Sequence, residues 1–108
     1  MRDDWQRAEQ YCSERLLADP AFNVAGYYYE SRLGWLELIK SLRGFRSCGI
    51  YEAQKEALAD PRWMTWVLRR IRTDRRCAKQ ALWHVQQCGD AALIPASAIP
   101  SPLPAPSR

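Results

Sequence analysis

Residues 36–58, Leu36-Glu-Leu-Ile-Lys-Ser-Leu-Arg-Gly-Phe-Arg-Ser-Cys-Gly-Ile-Tyr-Glu-Ala-Gln-Lys-Glu-Ala-Leu58, leave the chain few conformational choices. Leu36, Ile39 and Leu42 recur at helical spacing, with Glu37, Lys40 and Arg43 on other faces. Gly44 stands where a helix C-terminus favours glycine, because the left-handed conformation costs it nothing. Gly49 then precedes a second apolar set, Ile50, Ala53, Ala57 and Leu58. Two helices so closely spaced pack only as a hairpin or corner. Its exposed side carries Lys40, Arg43 and Arg46.

Ile39-Lys40-x-Leu42-Arg43, followed by Arg46-x-x-Gly49-Ile50-x-Glu52-Ala53-Gln54, resembles the helix–loop–helix in the C-terminal domain of the bacterial ribosomal stalk protein. That family writes Ile-Lys-x-Val-Arg, a glycine-rich turn and Leu-x-Glu-Ala-Lys. A looser likeness runs through Ile71-x-Thr73, Ala78, Val85 and Gly89 towards Leu93, although only 39–54 is specific. Gln54 departs from the family's lysine, and the aromatic content is far higher. The resemblance implies a small two-layer α+β domain over residues 22–94. With an N-terminal helix in 1–21, the order becomes α-β-α-α-β-α-β. It also implies that Lys40, Arg43 and Arg46 form a protein-docking surface, as the family's basic corner does towards acidic helices of translation GTPases.

Other stretches can be read from their own residues. In 4–18, Trp5, Ala8, Cys12 and Leu16 make an apolar stripe, Asp3 or Asp4 can cap the start, and Asp19-Pro20 ends the helix. Residues 23–31 contain Val24 and Tyr27-Tyr28-Tyr29, which suit a strand. They also suit the start of one long helix reaching Arg43. Residues 62–70 are equally two-sided. Trp63, Thr65 and Val67 alternate with Met64, Trp66 and Leu68 as a strand would. Asp60-Pro61 is a helix-opening pair, and Trp63, Trp66, Val67 and Ile71 form a helical stripe. The resemblance favours strands at both places; without it, an all-α bundle of five helices is the alternative. Thr73 is a fitting N-cap for a helix over 74–88, with Ala78, Ala81, Leu82, Val85 and Cys88 on its apolar face and Gly89 as its stop. Ala91–Ile94 fits a short final strand. From Pro95 onward five of fourteen residues are proline, which predicts a disordered tail over 95–108.

Charge is uneven along the chain. Residues 1–60 hold eight Lys/Arg against ten Asp/Glu, whereas 61–108 hold eight against two. Arg69, Arg70, Arg72, Arg75, Arg76 and Lys79 fall within 11 residues, with Trp63, Trp66 and Trp83 nearby as stacking faces. Such a cluster points to an anionic partner, either an acidic protein surface or DNA or RNA. Nothing assembles a catalytic centre. There is one histidine, no carboxylate pair tied to it and no phosphate-cradling glycine loop, so no enzyme activity and no cofactor are expected. His84 and Cys88 stand at i,i+4, but with Cys48 and Cys12 they make no zinc-type spacing, so no metal is expected either. The four dispersed cysteines read as small hydrophobes in a reducing compartment. No apolar run reaches the roughly 18–20 residues a membrane span needs. The charged start, Met-Arg-Asp-Asp-Trp-Gln, lacks a signal peptide's apolar segment, so a cytoplasmic setting is expected. Size and style suit a small regulatory accessory protein of a phage or plasmid. The expected function is non-catalytic binding of a macromolecule through the cationic helical corner, with nucleic-acid binding through 69–79 as the alternative.

Overall fold

The computed structural model describes residues 2–106, apart from the Arg2 side chain; Met1, Ser107 and Arg108 lie outside the described residues. Six α-helices follow one another: α1 (Arg2–Ala18), α2 (Val24–Glu30), α3 (Trp35–Arg46), α4 (Ile50–Leu58), α5 (Pro61–Thr73) and α6 (Arg75–Cys88). Two 3-10 turns, Gly89–Ala91 and Ala96–Ala98, complete the regular structure. Among the described residues there is no strand. The expected α+β order is therefore corrected at all three strand positions, and the described residues form an all-helical architecture with six helices rather than five. The chain divides into two compact units, one ending at Trp63 and the other beginning at Met64.

The segment 23–31 turns helical because Asn23 caps it. Its Oδ1 accepts the Gly26 amide at 3.0 Å, one of the amides a helix start leaves without a partner. A Cβ at Gly26 would have to displace the side-chain ends of Asn23 and Arg62, since it would meet Asn23 Nδ2 at 2.5 Å and Arg62 Nη2 at 2.7 Å. The three tyrosines then leave in three directions, each to its own partner. Tyr27 stacks on Tyr11 at 4.7 Å between centroids, Tyr28 is fully buried, and Tyr29 meets Trp63 edge-on at 5.3 Å. Arg32, at φ 61°, ends this helix, so 22–43 is not one continuous helix either.

Residues 61–73 are helical for the reason their opening pair announces. Asp60 Oδ1 accepts the Arg62 amide at 2.9 Å, and Pro61 occupies a first-turn position where its missing N–H is no loss. Trp63 is buried and donates its indole N–H to the Ala25 carbonyl at 2.8 Å.

The first unit is held by a polar knot as well as by its apolar core of Ala8, Cys12, Val24, Ala25, Tyr28, Leu38, Ile39, Leu42, Ala53 and Ala57. Ser41, only 2% exposed, accepts the Trp5 indole N–H at 2.8 Å and the Tyr28 hydroxyl at 2.7 Å. It donates its own proton to Glu9 Oε2 at 2.9 Å. A hydroxyl has one donor and two acceptor sites, and all three are used. Burial pushes the Tyr28 phenol up to about 12, which keeps it a donor at ordinary pH.

The corner departs from expectation at its joint. Leu38 rather than Leu36 is buried, Leu36 being 70% exposed. Gly44 lies inside α3, which runs on to Arg46, and the left-handed position falls on Ser47 at φ 50°. A Cβ at Gly44 would meet nothing within 4 Å. Gly44→Ala is therefore expected to stabilise by about 0.5–1 kcal/mol, and Ser47→Gly by a comparable amount through relief of the left-handed penalty. Thermal melts of the two single variants check this; a lower melting temperature for either contradicts its half of the argument.

In the second unit, Asp74 rather than Thr73 caps α6, accepting the Arg76 and Cys77 amides at 2.9 and 3.2 Å. Those bonds, the one from Cys77 foremost, hold its carboxyl below the usual range. Gly89, at φ 55°, closes α6. The segment expected to be a final strand bends instead, and His84 Nε2 accepts the Leu93 amide there at 2.9 Å. The proline-rich stretch contains the Ala96–Ala98 turn, and Arg75 Nη1 donates to the Pro104 carbonyl at 3.3 Å.

Candidate functional site

The nine cations expected to bind a partner fall into two groups. Lys40, Arg43 and Arg46 lie on α3 in the first unit, while Arg69, Arg70, Arg72, Arg75, Arg76 and Lys79 lie on α5 and α6 in the second. On α3 the three cations are spread over about a third of the helix circumference, at 100° per residue. Arg46 is committed within the fold. Its Nε and Nη2 donate to Glu56 Oε1 and Oε2 at 3.1 and 3.0 Å, and its Nη1 donates to the Pro20 carbonyl at 3.2 Å. It clasps the α3–α4 corner. Lys40 rests 6.0 Å from the centroid of the Trp5 ring, and Arg43 is exposed.

In the second group two cations are likewise engaged. Arg70 lies 5.7 Å from the Trp66 ring centroid and pairs with Asp74 at 3.3 Å, and Arg75 holds the Pro104 carbonyl. Arg69, Arg72, Arg76 and Lys79 are exposed and take part in none of the described ion pairs. Between Met64 and residue 106, six Lys/Arg stand against only Asp74 and Asp90.

The two faces of α6 are sharply divided between buried and exposed residues. Ala78 and Ala81 are buried and Val85 half-buried on one side. Arg76, Gln80, Trp83 and Gln87 follow at i, i+4, i+7 and i+11 on the opposite side, flanked by Lys79 and Gln86, and all six are exposed. The row from Arg76 to Gln87 is about 16 Å long at 1.5 Å per residue. Of the three tryptophans near the basic run, Trp63 is buried and Trp66 half-buried, whereas Trp83 is 64% exposed. No described aromatic or cationic group lies over its ring. The three glutamines went unnoticed in the sequence, although their spacing with Trp83 marks them.

No family model, no curated protein and no solved structure matches the chain.

His84 and Cys12 have defined surroundings. His84 accepts at Nε2, which puts a neutral ring's proton on Nδ1, 3.7 Å from Cys88 Sγ. Burial pushes the Cys12 thiol up to about 11, so it carries little thiolate. Among the described residues no three His, Cys, Asp or Glu side chains gather as a metal site. No helix of the described residues is long and apolar enough to cross a membrane.

Proposed function

We propose that the chain is a non-catalytic nucleic-acid-binding protein that meets its ligand with the exposed face of α6 and the cations near the end of α5. The observation that carries this reading is the single exposed row uniting Arg76, Trp83 and two amides, with Lys79 beside it. Cations neutralise phosphates and release counterions, an exposed indole offers a stacking face, and amides bond to base edges. An acidic protein partner explains the cations alone. The corner on α3 is the weaker candidate for docking, because Arg46 is spent on the internal clasp. The proposal sets the protein in the cytoplasm, in keeping with its four free cysteines.

The test is oligonucleotide binding followed by fluorescence anisotropy at two salt concentrations. With four cations contacting phosphate, affinity should fall about 50–150-fold between roughly 50 and 200 mM salt. Arg76→Glu combined with Lys79→Glu should weaken binding and lower the slope of log affinity against log salt by about two. Lys40→Glu combined with Arg43→Glu should leave that slope nearly unchanged. Absence of binding at the lower salt, to single strands and duplex alike, ends the proposal.

A further inference from the structure

We infer that the ligand of the α6 face is single-stranded nucleic acid, held by stacking of an unpaired base on Trp83. The inference rests on the nucleic-acid reading above and narrows it to one substrate class. Trp83 sits in the middle of the exposed row, three residues after Gln80 and four before Gln87, with 64% of its surface open. Its indole has one polar atom, a donor, and two broad π-faces.

A helix that reads a duplex needs side chains able to reach base edges on the floor of the major groove. Gln80 and Gln87 have suitable amides, but an exposed indole standing between them holds the helix off that floor. In a duplex, moreover, both faces of every base are already covered by its neighbours. An unpaired strand removes both obstacles. Its bases can turn out and lie on the ring, and every base has a π-face, so stacking tolerates any sequence. Lys79 and Arg76, one and two turns before Trp83, then lie where the strand's phosphates run. Gln80, Gln86 and Gln87 flank the ring within reach of the edges of a splayed base.

The test compares a labelled single strand of about 15 nucleotides with the duplex of the same sequence, at roughly 50 mM salt where phosphate contacts are strong. The full chain and its Trp83→Ala and Trp83→Phe variants are titrated. The wild type should prefer the single strand. Trp83→Ala should weaken single-strand binding by between about 5- and 150-fold, with duplex binding and salt slope unchanged, and Trp83→Phe should recover most of the loss. Because the ring is largely exposed, melting temperatures of the variants should match the wild type. Duplex bound as tightly as single strand, or Trp83→Ala binding like wild type, overturns the stacking inference and leaves the nucleic-acid reading standing. If neither oligonucleotide binds, both fall together.

Discussion

Replacing Ser41 with alanine is expected to destabilise the first unit by about 3 kcal/mol, through groups left without partners rather than through lost volume. Three bonds meet at this hydroxyl, joining it to Trp5 and Glu9 on α1 and to Tyr28 on α2. Alanine fits the site but strands the Tyr28 hydroxyl in surroundings with no exposure. It also leaves the Trp5 N–H and the Glu9 carboxylate searching for water. A buried donor without a partner costs roughly 1–3 kcal/mol, against about 1 kcal/mol for an ordinary hydrogen bond. Tyr28→Phe should therefore cost less than Ser41→Ala, since the serine keeps two partners. The double variant should cost less than the sum, because it no longer strands a buried Tyr28 hydroxyl, although the Trp5 N–H and the Glu9 carboxylate still lose their partner. Urea unfolding of the four proteins decides the matter. A Ser41→Ala cost below about 1 kcal/mol would show that water satisfies the stranded groups and that the knot contributes little.

The second large effect is expected in acid. Asp60 is 4% exposed at its side chain and receives four hydrogen bonds: the Arg62 amide, Nε and Nη2, and Asn23 Nδ2. The Arg62 guanidinium is the main reason its carboxyl falls to about 2, with burial acting the other way. A carboxyl lowered in the folded state contributes stability above its unfolded value of about 3.9, and loses it as pH falls through the folded value. The window is therefore about pH 4 down to about pH 2. The contribution is about 1–2 kcal/mol, since the partly open Arg62 side chain lets solvent screen the pair. Asp60→Asn should be less stable than wild type at neutral pH and converge on it near pH 2. Urea midpoints measured across that range test the sign directly. A stability difference independent of pH would mean that Asp60 acts through its cap geometry and packing alone.

How far the sequence disclosed this molecule depended on where each element's signal was stored. Helices α1 and α6 show their faces in sequence because 14 or more residues repeat the apolar period. Helix α2 has only seven residues, too few to establish a period, and its tyrosines have a high strand preference. Its helicity is set by the Asn23 cap and by ring partners on α1 and at Trp63, none of them adjacent to Tyr27, Tyr28 or Tyr29. Helix α5 was open to view, since Asp60-Pro61 and the stripe at Trp63, Val67 and Ile71 both indicate it. The strand expected there came from the resemblance. Leu-Ala-Asp-Pro occurs twice, each time at or just past a helix end and with the aspartate Oδ1 accepting the amide two residues on, yet only Asp60-Pro61 also opens a helix, α5. No four-residue string distinguishes the two; the residues downstream of each proline do.

The candidate site was legible as charge and illegible as availability. Counting cations identifies the stretch 69–79, yet Arg46 and Arg75 are taken up by distant partners that spacing alone does not reveal, and Arg70 by Asp74 four residues on. Trp83 was recoverable, because Ala78, Ala81 and Val85 place the buried side of α6 opposite it. The burial of Trp63 and Trp66 follows only when 62–70 is read as the helix that Asp60-Pro61 indicates, not as the strand that the resemblance implies.

The serine knot has a consequence for descent. Trp5, Glu9, Tyr28 and Ser41 serve one another so completely that any single replacement leaves the rest worse placed than before. Concerted exchange for apolar groups of like shape is nearly neutral by comparison. Single mutational steps out of the arrangement lead downhill, and only several taken together lead across. In a lineage that keeps this fold, the four positions would be inherited as one character, and sequence divergence would gather on the surfaces around them.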